Sequence, residues 1–544
     1  MFALGPINEA IADAIPDQDA IVTPTRRLTW RDFQLRSRRL ANVLHDAGLG
    51  CHRERDRLAA WESGQDHVAL YLYNGPEYLE GMLGACKARA VSFNVNYRYV
   101  EEELRYLLLD AQTRAVIYHA SFAPRLRAVL GDLPPQALLL QVDDGSGEAL
   151  LPGACDYEEA LAGASDAAPP VTPREEDLYI LYTGGTTGMP KGVLWTQRDI
   201  FFAAMGGQLP AGMGEVTSVA EMVERAPMGT CIRALPAPPF MHGAAQWSSF
   251  MILHQGGAIV LPGNTRGLDA DDIWRTIERE RVGTLSIVGD AFARPLLDQL
   301  GKATYDLSSL RILGSGGAIL SPPFKNAFLD ALPDLMIFDG FGSSETGAQG
   351  AALTTKGDAV SPAFRMDAHT CVLDAALTRR LAPGDAETGW LARSGYLPLG
   401  YFNDAAKTQK TYPTIAGERF AVPGDRAQAA ADGSVVVLGR DSVCINSGGE
   451  KIFAEEVEKA LKHHPAVYDV VVAGAPSERW GEQVIAVVQF RPGESAGDDE
   501  LLATAAQHLA RYKLPKAFVA VERIMRSDSG KPDYRWAKEM ARRA

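Results

Sequence analysis

The stretch Leu181-Tyr182-Thr183-Gly184-Gly185-Thr186-Thr187-Gly188-Met189-Pro190-Lys191-Gly192 decides how the rest of the chain is read. An apolar strand, Leu178 to Tyr182, feeds a loop of Gly and Thr, and Lys191 then leads into the β-prone Val193-Leu194-Trp195. Glycines let successive backbone amides turn toward a common point, which makes an anion-binding nest. The Thr hydroxyls add donors and Lys191 adds a mobile positive charge, so the natural ligand is a polyphosphate. This is not the P-loop of NTPases: Lys191 follows Pro190 and precedes Gly192, and no GK[ST] occurs here.

Around this loop, apolar strands alternate with amphipathic helical stretches, the pattern of parallel or mixed sheets covered by helices. Val68-Ala69-Leu70-Tyr71-Leu72 reads as a buried strand followed by the turn Asn74-Gly75-Pro76, after which Tyr78, Leu79, Met82 and Leu83 fall at helical spacing. Ala115 to Tyr118, Ala137 to Leu140 and Ala258 to Leu261 read as further core strands. The stretch from Gly206 to Thr230, rich in Gly, Met and Pro, breaks periodicity and is expected to be a long surface excursion. The strand Leu310 to Leu313 is expected to end before Gly314-Ser315-Gly316-Gly317-Ala318. A boundary falls near Gly439-Arg440-Asp441. Beyond it, a helix (Ala454 to His464), strands at Asp469 to Val472 and Gln483 to Val488, and a helix around Leu501 to Leu509 make a self-sufficient α+β unit. The expected fold class is α/β: a large N-terminal domain of mixed sheets flanked by helices over 1–438, a hinge at 439–442, and a small mobile C-terminal domain over 443–544.

Composition narrows the partners. The 544 residues carry a formal net charge of −14, which argues against a nucleic-acid binder working through broad phosphate neutralisation. No apolar run reaches the roughly 18 residues of an obvious membrane span. The N-terminus lacks the basic-then-apolar layout of a signal peptide, so a cytoplasmic protein is expected. The 6 cysteines are scattered without a CxxC pair, and the pair His463-His464 lies outside any HExxH, so no zinc site is expected.

Thr183 to Gly192 resembles the phosphate loop of the adenylate-forming superfamily, which includes acyl-CoA synthetases, luciferases and peptide-synthetase adenylation domains. Other segments agree in the right order, and the resemblance runs from about Ile21 to Lys538. It implies an ATP site built from Thr183, Gly184, Gly185, Thr186, Thr187, Gly188 and Lys191. Gly316, Gly317 and Ala318 would border adenine, and Phe341 would offer it a flat face beside Gly342 and Ser344. Thr346 would bond a phosphate oxygen, and Glu345 would help to hold Mg²⁺. Asp425 would accept the ribose hydroxyls, although Val422-Pro423 replaces the usual residues before Gly424-Asp425.

Pro238-Pro239-Phe240-Met241-His242-Gly243 is similar to the segment lining the acyl-carboxylate site, with His242 orienting the carboxylate. Trp247 and Phe250, with Val288, Gly289 and the residues to Phe292, would wall an apolar pocket that Gly342 also borders. Arg440 would reach ribose or phosphate, Gly448 and Gly449 would admit the pantetheine arm of CoA, and the pivot is either Asp441 or Ser442. Ser529-Gly530-Lys531 resembles the family's catalytic lysine turn, with Lys531 bridging the substrate carboxylate and the α-phosphate.

The chemistry implied is an ATP-dependent acyl-CoA synthetase. A carboxylic acid, ATP and CoA would give acyl-CoA, AMP and pyrophosphate through an acyl-adenylate. Asn94 to Val100 and Gly289 to Leu296 look closest to bacterial fatty-acid and steroid-side-chain acyl-CoA ligases, so a bulky hydrophobic acid of lipid or steroid metabolism is expected. Two alternatives stay open: a ligase that loads a carrier protein, and a nucleotide-binding regulator without turnover. A homodimer is among the assemblies left open.

Overall fold

In the large domain, strands that are apolar throughout become the centres of sheets that helices cover on both faces. The computed structural model of the chain describes residues 1–544 except 135, 186–187, 209–213, 319, 359–363, 448–449, 478–480, 510 and 528–529. The side chains at 440, 442, 446 and 450–451, and positions 184–185 and 188 beyond their strand assignment, also lie outside the description.

His67–Tyr71 is buried at every position and lies inside a five-stranded parallel sheet, between Val91–Asn94 and Thr113–His119. Leu138–Val142 and Cys155–Asp156 complete that sheet. The helices Trp30–Asp46 and Pro76–Lys87 pack on one face, and Glu101–Asp110 lies on the other. Trp30–Asp46 begins with a capping box between Thr29 and Asp32, which satisfies the first free backbone donors.

A nine-stranded sheet forms the second layer. Its parallel centre runs through Ala258–Val260, Arg233–Pro236, Thr284–Ile287, Ile312–Gly316 and Met336–Ser343. Gly347–Thr354 turns back antiparallel on Met336–Ser343. A shorter sheet pairs the hairpin Leu178–Gly185 and Gly188–Thr196 with Gly400–Tyr401. A four-stranded antiparallel sheet of Thr370–Leu373, Gly389–Arg393, Asp425–Ala429 and Val435–Arg440 leads to the small domain.

That small domain folds around the long antiparallel pair Val467–Ser477 and Gly481–Phe490. Cys444–Ser447 and Ala517–Ala520 also pair with Gly481–Phe490, and Cys444–Ser447 carries Glu450–Phe453 on its other edge. Helices Ala454–Leu461 and Asp498–Ala506 cover one face, and Tyr534–Ala541 covers the other. No helix among the described residues is long and apolar enough to cross a membrane.

Two expectations are corrected. The stretch from Gly206 to Thr230 is not wholly a surface excursion, because Val219–Gly229 is a helix capped by Ser218, whose hydroxyl accepts the Glu221 N–H. Met222 and Ala226, four residues apart, share its buried face with Leu4, Ile7 and Ile11 of the helix Leu4–Ala14. Pro227 falls in the last turn, where its missing N–H interrupts the ladder only near its end. The second correction concerns Gly314, Ser315 and Gly316, which lie inside the strand Ile312–Gly316 rather than after it. In the middle of a parallel sheet the ladder hydrogen bonds outweigh the weak strand propensity of glycine.

Candidate active site

The hairpin of Leu178–Gly185 and Gly188–Thr196 places Thr183 directly across from Lys191. Thr186 and Thr187 lie outside the described residues. The base of the hairpin is fixed by Asn94, a buried amide that accepts the Tyr182 N–H at 2.7 Å and donates to the Tyr182 carbonyl at 2.8 Å. The same amide donates to the Met241 carbonyl at 2.7 Å, so one side chain ties the glycine hairpin to the turn carrying His242. Gly192 leaves room for the Tyr182 ring, which a Cβ there would meet at 2.9 Å.

Lys191 is 3.1 Å from Asp404, which precedes the helix Ala405–Thr411. Burial works against its charge, yet the neighbouring Asp404 carboxylate raises the ammonium above its ordinary value, so it stays a cation. Tyr401, next to that helix, pairs with Val193 in the short sheet and donates its hydroxyl to Glu345 at 2.9 Å. Trp195 is fully buried and donates its indole N–H to the Ser344 carbonyl at 3.0 Å. The Lys191 strand and the Ser344–Glu345 turn are therefore held against each other from two sides.

Phe341 and Gly342 end the strand Met336–Ser343. The Phe341 ring tilts against Phe364 with centroids 5.7 Å apart. At Gly342 a Cβ would lie 2.2 Å from the Gly347 carbonyl, so only glycine permits the hairpin to close. Thr346 is fully buried; its hydroxyl donates to Gln349 at 2.9 Å and accepts the Ser343 N–H at 3.1 Å. In this conformation that hydroxyl orders the turn, and it would have to exchange partners to meet a phosphate.

Gly316 ends its strand beside Gly340, Gly317 takes a positive φ of 82°, and Ala318 packs at the edge of the apolar cluster containing Val288. Asp425 is buried at the start of Asp425–Ala429, opposite Arg440. Its neighbour Arg426 holds Asp441 at 3.0 Å, so one of the two expected pivot residues is anchored to the large domain. Nothing is described for the side chains of Arg440 and Ser442, and Gly448 and Gly449 lie outside the described residues.

His242 is half-buried, and its Nε2, shut off from solvent, makes no hydrogen bond among the described residues. Burial first, and then the positive charges of Lys531 and Arg98, hold its pKa down to about 3, so the ring is neutral at ordinary pH. The turn Pro238 to Met241 that leads into it is pinned by Asn74, which donates to the Pro238 carbonyl and accepts the Phe240 N–H. Of the residues expected to wall an acyl pocket, Trp247 gives its indole N–H to the Tyr179 hydroxyl at 3.2 Å, and Phe250 lies inside the core. Val288 and Gly289 join the strand Thr284–Ile287 to the helix Gly289–Leu300, with the Gly289 N–H bonded to Ser315 Oγ.

Lys531 comes from the other domain. Its turn is closed by the hydrogen bond from the Ser527 N–H to the Lys531 carbonyl at 2.8 Å. Gly530, at φ 72°, lies so close to Ala291 and the Val288 carbonyl that a Cβ would meet them at 3.1 Å and 3.4 Å. The turn therefore seats itself on the large domain near His242. A cleft of about 860 Å³ opens along this seam, lined by Tyr97, Arg98, Asp290, Phe292 and Tyr468 together with Gly530.

Sequence reading missed Asn94, Trp195, Tyr401 and Asp404, which aim other groups. The only signal of Asn94 and Trp195 was a polar or aromatic residue inside an otherwise apolar strand.

These features tie a glycine hairpin to the Ser344–Glu345 turn and seat the Lys531 turn of the small domain on the large one. The AMP-binding enzyme family profile matches residues 9–397, and that of the AMP-binding enzyme C-terminal domain matches 456–531; the chain belongs to this family. It is 52% identical over 540 residues to the medium-chain acyl-CoA ligase Mig of Mycobacterium avium, covering 99% of this chain and 98% of the relative. It is 40% identical to the 3-oxocholest-4-en-26-oate–CoA ligase of Rhodococcus rhodochrous, covering 98% and 94%. Among solved structures, the anthranilate CoA ligase AuaEII in complex with anthranoyl-AMP superposes with a TM-score of 0.81 at 21% identity, over 99% of this chain and 98% of the other. ATP-bound MatB from Rhodopseudomonas palustris gives 0.79 at 23%, over 98% and 99%. At those identities the likeness speaks for the fold.

Proposed function

We propose that the chain is an ATP-dependent acyl-CoA synthetase acting on a hydrophobic acid, of the fatty-acid or steroid-side-chain class named for its relatives. The observation that carries the reading is the seating of the Lys531 turn on Val288 and Ala291 of the large domain. A cation brought to this seam suits a carboxylate and the phosphate it attacks.

A carboxylate acylates poorly because its leaving oxide is very basic. Attack of a carboxylate oxygen on the α-phosphorus of ATP forms an O–P bond, breaks the bond to the β-phosphate bridge and releases pyrophosphate. Lys531 balances the charge that gathers between carboxylate and α-phosphate, and the amides and Lys191 of the hairpin hold the outgoing phosphates. His242, uncharged, orients the acid and does not act as a base. In the second step the sulfur of CoA attacks the acyl carbon, the bond to the AMP oxygen breaks, and AMP leaves. No residue of the protein becomes covalently attached.

Among the described residues no group of three or more His, Cys, Asp or Glu side chains is placed to hold a metal. A single carboxylate nevertheless fits Mg²⁺, which keeps most of its waters and binds through one or two carboxylates with substrate phosphates. Glu345, oriented by Tyr401, would hold that ion, which would supply neutralisation of the phosphate charge.

The test is AMP release that depends on both CoA and acid, measured across acetate, medium and long fatty acids, aryl acids and steroid acids. Thioester formation with a hydrophobic acid and no carrier protein is the expected result. AMP release only with a carrier protein, or ATP binding without pyrophosphate release, overturns it.

A further inference from the structure

The Lys531 turn is held by more than its own hydrogen bonds. Arg526 donates to the Gly530 carbonyl at 2.9 Å and grips Asp469 through two nitrogens at 2.6 Å and 2.8 Å. Asp469, on the strand Val467–Ser477, also faces Lys462 at 3.9 Å. Lys462, just past the helix Ala454–Leu461, reaches across the seam to Asp290 of the large domain at 2.9 Å. The second oxygen of Asp290 accepts the Ser321 N–H at 2.7 Å, which fixes the carboxylate on its own domain. One helical turn further on, Arg294 lies between Phe324 of its own domain, at 4.8 Å, and Tyr468 of the small domain, at 3.7 Å. Alternating charges thus run from Asp290 through Lys462, Asp469 and Arg526 to the carbonyl beside Lys531.

We propose that Asp290 and Lys462 form a clasp that positions Lys531 for adenylation and opens for thioester formation, so both are positioning residues of the first half-reaction. The inference rests on the function proposed above. The two side chains are 7% and 11% exposed at the edge of an open cleft, so water reaches them as the domains part. A pair of this kind loses in desolvation most of what it gains in attraction, which suits a contact that must break at every turnover. An apolar seam of the same area would hold the small domain too firmly. The Arg294–Tyr468 stack slides more readily, because its attraction has no hydrogen-bond geometry to lose.

The clasp predicts a split between half-reactions. Acid-dependent ATP–pyrophosphate exchange reports adenylation, and synthetic acyl-adenylate supplied with CoA reports thioester formation. In Asp290→Asn the exchange kcat is expected to fall about tenfold, with the KM for ATP changed less than about twofold. Thioester formation is expected to change less than about twofold. Lys462→Met on the other domain should give the same split, and the double variant should lose no more than either single one, because both remove the same contact. Exchanging the charges, with Asp290→Lys and Lys462→Asp together, should recover part of the exchange.

Equal losses in both half-reactions, additive single losses, or unchanged exchange in either folded variant overturns the clasp. Wild-type protein without any acid-dependent exchange overturns the functional reading itself, and the clasp with it. Wild-type exchange with insensitive variants sinks the clasp alone.

Discussion

The glycine hairpin and the Lys531 turn are held in place by different physics. The hairpin grows out of a strand whose Leu178, Ile180 and Tyr182 are buried among Phe93, Val116 and Leu194, and Trp195 anchors its far strand. Such packing is dense, and its cost of disruption is high. The Lys531 turn reaches the cleft through ion pairs, one backbone carbonyl and the close approach of Gly530 to Ala291. A reaction in two steps, with different partners for the same acyl group, needs one fixed wall and one that can leave. The distribution of apolar and charged contacts divides the molecule that way.

The sharpest way to break the comparison is to attack the fixed wall. Trp195→Ala removes a fully buried indole and is expected to lower stability by about 3–5 kcal/mol, read by thermal unfolding. Trp195→Phe keeps most of the volume and loses the bond to the Ser344 carbonyl, so a smaller loss of about 1 kcal/mol should come with reduced adenylation, because the turn carrying Glu345 is then held from one side only. If activity survives Trp195→Phe unchanged, the indole is packing alone. Against the removable wall the order reverses. Lys531→Ala should leave the melting temperature untouched while acid-dependent pyrophosphate exchange falls by about 10²–10³. Thioester formation from supplied acyl-adenylate should persist, and loss of both steps would place Lys531 outside adenylation.

What the sequence disclosed follows the same division. Core strands such as Val68 to Leu72 and Ala115 to Tyr118 were legible because burial on both faces demands unbroken apolar runs, and the folded strands His67–Tyr71 and Thr113–His119 contain nearly all of them. The helix Val219–Gly229 was hidden because its Pro and Gly residues mask a buried face that only Leu4–Ala14 makes sense of. The loop of Gly and Thr points to a phosphate ligand through local chemistry alone. Asn94 and Trp195 did not announce themselves, since their partners lie 88 and 149 residues away along the chain. Asp290 and Lys462 lie 172 residues apart, and nothing in either local sequence pairs them. Local periodicity reports which face is buried, and it carries no information about which distant group a polar side chain will hold.

The fixed half has a charged weak point at Glu77, and it gives the smallest and most selective test. Glu77 lies in the first turn of Pro76–Lys87 with its side chain 14% exposed and 3.7 Å from Arg26. Burial, and then the neighbouring Glu80 charge, raise its pKa from 4.5 to about 7, against the pull of Arg26 and Arg36. The folded protein therefore binds this proton more tightly than the unfolded chain does. The stabilisation from its neutral form is complete below about pH 4.5, declines as pH rises through about 7, and is gone above it. Glu77→Gln fixes the neutral form. Its melting temperature should match the wild type near pH 4.5 and exceed it near pH 8, by the equivalent of about 1–2 kcal/mol. A difference that stays constant with pH would mean that Arg26 fully compensates the carboxylate, and that the fixed wall tolerates charge as well as the seam does.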